Sequence, residues 1–469
     1  MKVLLVSTYD LGHQPFGLAS PAAWLKQAGA DVRCLDLAVE EFGEDAAVDA
    51  RMVAIHVPMH TATRLAETII RRIRELNPAA HICCFGLYAP ANADWLRKLG
   101  VNSIVGGEFE GPLTGLYRRL DGGEVGSHEA VHISFDKQVF LRPDRRGLPP
   151  LDRYVRLIRS DDRRGVVGYT EASRGCKHHC RHCPVVPVYD GRFRIVQRRV
   201  VMADIRHLVA QGAEHITFGD PDFFNGPGHA VATVRELHAE FPELTYDVTI
   251  KIEHLLAHAG RLPVLKETGC LFVTTAVESV EDRILALLDK GHVRADFVQA
   301  ASLCRQYGID LSPTFIPFTP WTTIRGYVDL LATVDQLGLV DSLSPIQLAI
   351  RLLVPRGSRL RDLEEWQEHE GPFDEAALSY GWVHPDPSVE GLYATVRDIV
   401  ANSEEAGIGR RAVFSAIWQA AHDALGRRAP PLTAPHHRPR PPYMSEAWYC
   451  CAEPTDHQLA RLRGDSGLT

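Results

Sequence analysis

From residue 3 to about residue 360, short β-branched runs alternate with stretches of helical periodicity. That alternation restricts the chain to parallel sheets covered by helices. In the first 120 residues the apolar runs 3–7, 32–37, 53–57, 81–85 and 103–105 read as five strands. Between them, residues 63–76 place Leu65, Ile69, Ile70 and Ile73 on one face of a helix. Five strands with intervening helices predict an α/β, doubly wound, Rossmann-like sheet over 1–120, whose ligands bind at the C-terminal strand ends. The pattern breaks over 121–165, where Asp121-Gly122-Gly123 predicts a hairpin-like piece and Leu148-Pro149-Pro150-Leu151 forces extended backbone. This stretch reads as a linker. Over 166–360 the alternation resumes, with strands near Val166, Ile216, Val248, Phe272, Leu311 and Ile346, which predicts a partial TIM-type (β/α)6 barrel. A mainly helical region follows over 361–426. The last segment, 427–469, begins as a Pro- and Arg-rich connector, read as extended and mobile, and ends in a short tail.

A chain of 469 residues has room for two or three such domains. Its 51 Lys and Arg against 59 Asp and Glu give a net charge of -8, with no basic run, which argues against a nucleic-acid partner. No apolar stretch reaches the ~20 residues needed to cross a bilayer. The opening MKVLLVSTYDLG lacks a cleavage-site pattern and reads as a first strand, so the expected location is cytoplasmic. Ten cysteines in such a chain point to metal or redox chemistry more than to structural disulfides.

Three of them, Cys176, Cys180 and Cys183, form a C-x3-C-x2-C loop directly after the run 166–169. Three thiolates on one tight loop suit a cubane iron–sulfur cluster whose fourth iron stays open to a substrate or cofactor. Zinc held by the same three cysteines and a nearby histidine is the alternative. This loop within a barrel resembles the radical S-adenosylmethionine (SAM) superfamily, and the likeness runs in register over about residues 160–365. It implies a [4Fe–4S] cluster on Cys176, Cys180 and Cys183, with His182 where the family has an aromatic residue against the adenine. The run 218–225, Phe-Gly-Asp-Pro-Asp-Phe-Phe-Asn, resembles the motif for the methionyl amine and implies roles for Gly219 and Asp220. Val277-Glu278-Ser279 with Lys290-Gly291 resembles the family's "vES … KG" signature and implies that Glu278, Ser279 and Lys290 face the cofactor's polar end. The run 315–320 around Ile316 resembles the fifth-strand adenine segment, without its usual glycines. The run 353–358 resembles the Pro–Gly–Thr segment that closes the sixth strand.

The linker 148–154 and the turn Gly106-Gly107-Glu108-Phe109-Glu110-Gly111 resemble those of cobalamin-binding domains joined to radical barrels. His13 lies one position off the cobalamin ligand motif DxHxxG. The tail Trp448-Tyr449-Cys450-Cys451-Ala452-Glu453-Pro454 resembles radical SAM proteins with a CUAEP or CCAEP ending, a group in which either selenocysteine or cysteine stands at the position of Cys451. A site that accepts sulfur or selenium implies chalcogenolate chemistry, making Cys450 and Cys451 candidate catalytic groups. The expected function is a cobalamin-dependent-type radical methyltransferase acting on a small molecule or peptide held near this pair, supplied with electrons by a flavodoxin- or ferredoxin-type donor. Two alternatives stand beside it. One is a cobalamin-independent enzyme that transfers an aminocarboxypropyl or adenosyl-derived radical, for example to thiol-bound As(III). The other is a non-catalytic metal or metalloid sensor or carrier.

Overall fold

Two parallel sheets organise the chain in the computed structural model, which describes residues 1–124, 126, 128–434, 439–446 and 462. The first contains β1 (Lys2–Ser7), β2 (Asp31–Asp36), β3 (Met52–His56), β4 (His81–Phe85), β5 (Ser103–Gly107) and β6 (His132–Ser134). Their order is β2-β1-β3-β4-β5-β6 and every pairing is parallel. Helices cover both sides of this sheet, so its central strands are apolar on both. Leu4, Val6, Val53, Ile55 and Ile82 fill one face, and Val3, Leu5, Met52, Ala54 and Phe85 the other. The helix His60–Leu76 covers the first face with Ile69, Ile70 and Ile73. Strand order reverses between β1 and β3, so a crevice forms at their C-terminal ends.

Two details differ from the sequence reading. β6 is a sixth strand drawn from the stretch read as linker. The expected hairpin at Asp121 is the end of the helix Glu110–Gly122, which Gly123 terminates.

The second sheet is built on the parallel strands β8 (Arg164–Thr170), β11 (His215–Phe218), β12 (Thr245–Thr249), β13 (Cys270–Glu278) and β14 (Asp310–Phe315). β7 (Arg156–Ile158) and β17 (Tyr443–Met444) extend its edge in antiparallel fashion. The full order is β14-β13-β12-β11-β8-β7-β17. Two small ribbons, β9 (Ser173–Gly175) with β10 (Phe193–Ile195) and β15 (Phe373–Asp374) with β16 (Ser379–Tyr380), complete the described strands. The strand expected at Ile346 is instead a 3-10 turn, Pro345–Leu348. The sixth barrel position is reduced to one bridge, Phe318 to Arg351, because Pro317 and Pro320 have no N–H to extend a ladder. The helices Pro387–Glu405 and Arg410–Ala424 close the barrel, adding Val396, Phe414 and Ile417 to its core.

The Pro- and Arg-rich connector, expected to be mobile, is tied down along its described residues. Trp418 Nε1 donates to Pro430 O at 2.9 Å, and Thr433 donates from N and Oγ1 to Asp335 Oδ2. Tyr443 lies under the Arg410 guanidinium.

The two sheets meet across a buried polar seam. Arg145, 1% exposed, donates to both Asp204 oxygens at 2.8 Å, to Gln14 Oε1 at 2.8 Å and to Tyr169 O at 2.6 Å. Such a group stays buried because each of its three nitrogens finds an acceptor and Asp204 neutralises its charge. Val155 N donates to Gly12 O at 2.8 Å, and Tyr9 Oη to Glu446 Oε1 at 2.9 Å, so linker and C-terminal segment both close onto the β1 loop. Among the described residues no helix is long and apolar enough to cross a membrane.

Candidate active site

The chain leaves the C-terminal end of β8, forms β9, and releases the cysteine loop. Gly175, at φ +76°, makes that release: a Cβ there would lie 2.4 Å from the Tyr189 ring and 2.5 Å from Arg192 O. Only glycine satisfies both the dihedral and the space. The loop is then held from three sides. Asn225 Nδ2 donates to Gly175 O at 3.1 Å and its Oδ1 accepts from Lys177 N at 3.2 Å. Arg181 donates from its backbone to Leu288 O and from Nη1 to Ala286 O and Leu287 O. Ser358 Oγ donates to Arg181 O at 3.1 Å.

Cys180 is buried, and Cys176 and Cys183 pack against the apolar patch of Val185, Val188 and Tyr189. Burial, with some help from Asp222 and Cys180, pushes the Cys176 thiol up to about 11. Burial and the neighbouring sulfurs Cys180 and Cys176 push Cys183 up to about 12. Sulfurs gathered this way resist ionisation until a cation joins them, which is the donor chemistry of an iron–sulfur cluster. The other described cysteines, Cys34, Cys83, Cys84, Cys270 and Cys304, are buried elsewhere, so no fourth described thiol joins the three. A cubane held by these three thiols alone would keep one iron open.

Beside the loop stands a charged cluster. A register shift in β13 between Ala276 and Glu278 and a left-handed φ of +66° at Glu278 re-aim that carboxylate. Glu278 Oε1 accepts from Lys290 Nζ at 3.2 Å and lies 3.2 Å from His182 Nε2. Burial opposes its ionisation, but Lys290 and His182 prevail and hold its carboxyl down to about 2. Expected to lie on the adenine, His182 thus bridges the cysteine loop to Glu278.

The remaining sequence candidates have backbone duties. Asp220 accepts from Ala172 N at 2.8 Å and from Ser173 Oγ, locking β11 to the approach of the cysteine loop, while burial pushes its carboxyl up to about 7. Gly219 N donates to Thr170 O at 2.8 Å. Ser279 Oγ accepts from Glu281 N at 3.1 Å, and Ile316 N donates to Glu278 O at 2.9 Å. Cys450 and Cys451 lie outside the described residues.

Sequence reasoning missed the buried knot around Arg174, two residues before Cys176. Its guanidinium pairs with Glu110 at 2.7 Å and Glu171 at 2.5 Å, lies 3.7 Å from Glu108, and sits over the Phe109 ring. Glu108 also accepts from Tyr189 Oη at 3.1 Å. The Gly-Glu-Phe-Glu turn after β5 therefore grips the first residues of the cysteine loop. Nothing local signals a contact spanning 64 residues.

Comparison with known proteins agrees with this geometry. Residues 170–331 match the family model of the radical SAM superfamily. A tRNA-2-methylthio-N(6)-dimethylallyladenosine synthase from Jannaschia sp. (strain CCS1) is 24% identical over 57% of this chain and 57% of its own. A bacteriochlorophyllide d C-8(2)-methyltransferase from Chlorobaculum tepidum is 22% identical over 48% of this chain and 53% of its own. The chain thus spans a little over half the length of these curated relatives. Among solved structures, the radical SAM methyltransferase TsrM from Kitasatospora setae, with tryptophan and a SAM analogue bound, overlays with a TM-score of 0.66 at 15% identity, covering 99% of this chain and 98% of TsrM. The cobalamin-dependent radical SAM enzyme OxsB overlays with a TM-score of 0.64 at 15% identity, over 86% of this chain and 67% of OxsB. With its three-thiol loop at the mouth of a partial barrel, this chain carries a radical SAM domain over residues 170–331, and as a whole it shares the two-sheet fold of TsrM and OxsB.

Proposed function

We propose that the protein binds a [4Fe–4S] cluster on Cys176, Cys180 and Cys183, cleaves SAM reductively, and acts as a cobalamin-dependent-type methyltransferase. The observation that supports this most is the set of three gathered thiols beside the Glu278–Lys290–His182 group. When bound, the reduced cluster supplies the electron that breaks a sulfur–carbon bond of SAM. The chain's own work is placement. Ionised Glu278 offers a fixed anion to the SAM amine, and Lys290 offers a cation to its carboxylate. His182 fixes Glu278 relative to the loop. Asp220, Asn225 and Arg174 keep the loop from shifting as charge changes at the cluster. A flavodoxin- or ferredoxin-type protein would deliver electrons, and a cytoplasmic setting suits reduced thiols.

For cobalamin, the fit is divided. The C-terminal ends of the first sheet meet the cysteine loop, with Leu87, Tyr88 and Ala91 closed against His182, Cys183 and Pro184, so a corrin at those ends would face the cluster only once this contact parts. The cradle at Gly17, however, holds the His56 ring: a Cβ on Gly17 would lie 2.0 Å from His56 Cε1. A nucleotide tail entering there must displace His56. That ring favours a second reading, the same SAM cleavage without cobalamin, passing an aminocarboxypropyl or adenosyl-derived group to a small molecule or to a metalloid held by thiols. In both readings Cys450 and Cys451 remain proposed reactive groups.

Anaerobic reconstitution and mass analysis of the products from SAM test the proposal. S-adenosylhomocysteine together with 5′-deoxyadenosine, from two molecules of SAM, and bound corrin support the methyltransferase. Methylthioadenosine or 5′-deoxyadenosine without corrin supports the second reading. No SAM-derived product under reducing conditions overturns both.

A further inference from the structure

On the far side of the cysteine loop, a second set of ligand atoms converges from three elements. His178 lies on the loop itself, Asp222 at the turn after β11, and His254 on the helix Ile252–Ala257 that follows β12. Asp222 Oδ2 lies 2.6 Å from His254 Nδ1 and 3.4 Å from His178 Nε2. The two imidazole rings are 4.6 Å apart and tilted by 57°.

Both imidazoles lie at ion-pair distance from that one carboxylate oxygen, yet neither is aligned for a directional hydrogen bond. Asp222 Oδ2, His178 Nε2 and His254 Nδ1 are all buried, and none has a hydrogen-bond partner among the described residues. Asp222, whose side chain is 1% exposed, spends its other oxygen on Phe224 N at 3.0 Å, which fixes the direction of the free one. A carboxylate oxygen and two ring nitrogens crowded into one buried spot without an aligned hydrogen bond would all be satisfied by a single cation.

We propose that His178, His254 and Asp222 form a divalent-cation site of the zinc class, separate from the cluster. Two imidazole nitrogens and one carboxylate oxygen are a donor set zinc favours, with an open fourth position. Ligand bonds of about 2.0–2.2 Å at a tetrahedral angle set neighbouring donors about 3.3–3.5 Å apart. The His178–Asp222 pair has that spacing, and His254 need only swing outward. Glu253 Oε2, 3.5 Å from His178 Nδ1, stands where a carboxylate orients a metal-bound imidazole. Cys176 Sγ lies within 4.8 Å of the His178 and Asp222 ligand atoms, so the cation would sit next to the cluster without using its thiols. It would staple the Cys176–Cys180 segment to the second and third barrel units. The inference does not depend on which reaction the cluster serves.

The test uses the full chain, reconstituted anaerobically with iron and sulfide, then incubated with zinc and desalted. The expected result is about one zinc per chain beside an unchanged iron content. In His254→Ala and in Asp222→Asn, which keeps the capping oxygen, zinc affinity falls about tenfold or more with iron unchanged. Cobalt in place of zinc adds no thiolate-to-cobalt band to the difference spectrum against the cluster-loaded protein. The proposal is overturned if no zinc is retained, if both variants keep it undiminished, or if zinc enters only as iron leaves. A thiolate-to-cobalt band in that difference spectrum also overturns it.

Discussion

The two sheets share an architecture and differ in what lies at their C-terminal strand ends. At the first sheet those ends combine apolar packing with buried acids, Asp10, Asp36, Glu108 and Glu110, the last two held by Arg174. His56, held down to about 3 by burial, packs neutral against Phe85 and Phe109, and Tyr9, Met59 and Tyr88 form an apolar layer alongside. At the barrel the ends carry Glu278 with Lys290 and His182 both on its Oε1, beside the loop of three thiols. The first set of ends uses its charges to clamp the two sheets together, whereas the second holds an ionised carboxylate beside the thiols. Fold alone therefore does not locate the chemistry; the paired charges do.

The sharpest way to break this contrast is at the thiols. Cys180→Ser should reduce bound iron from about four per chain to background and abolish SAM cleavage, while leaving the first sheet folded. Metal analysis with circular dichroism checks both parts. Next in size is Arg174→Met, which leaves Glu108, Glu110 and Glu171 without their cation. Breaking a buried ion cluster from one side costs about 3–5 kcal/mol, to be read as a lowered denaturant midpoint. Truncating Lys2 in its exposed pair with Asp49 is the control, and should leave that midpoint where it is.

Glu278→Gln removes the anion but keeps the shape. SAM should bind about 10- to 100-fold more weakly with iron content unchanged, measured by equilibrium dialysis. The smallest effect concerns Asp220. Its folded-state carboxyl is raised by burial to about 7 from an ordinary 3.8, so its stabilising contribution is full below the lower value and is lost as pH rises through the upper. The native chain should lose roughly 1–2 kcal/mol between about pH 6 and 8 that Asp220→Asn does not lose, measured by denaturant titration at each pH.

Much of this was legible in the residues. The apolar runs located all five long strands of the first sheet and five of the barrel, because β-branched runs buried on both faces need no partner to be recognised. The Cys176–Cys183 spacing placed the cysteine loop. The three-residue β6 was not legible, since His132-Ile133-Ser134 is too short to show a period. The run near Ile346 reads as a strand by composition, yet Pro345 turns it into a 3-10 segment. The Arg174 knot and the His178–Asp222–His254 cluster join residues far apart in sequence, which only the packed fold brings together.

The central claim is a cubane gripped by three protein sulfurs with a vacant iron. Electron paramagnetic resonance of the dithionite-reduced, reconstituted protein, recorded with and without SAM, tests it most directly. The account predicts a [4Fe–4S] signal whose shape changes when SAM is added and does not change in Glu278→Gln at the same SAM concentration. A signal indifferent to SAM in the native chain, or a protein that holds zinc at the three cysteines and no cluster, would contradict it.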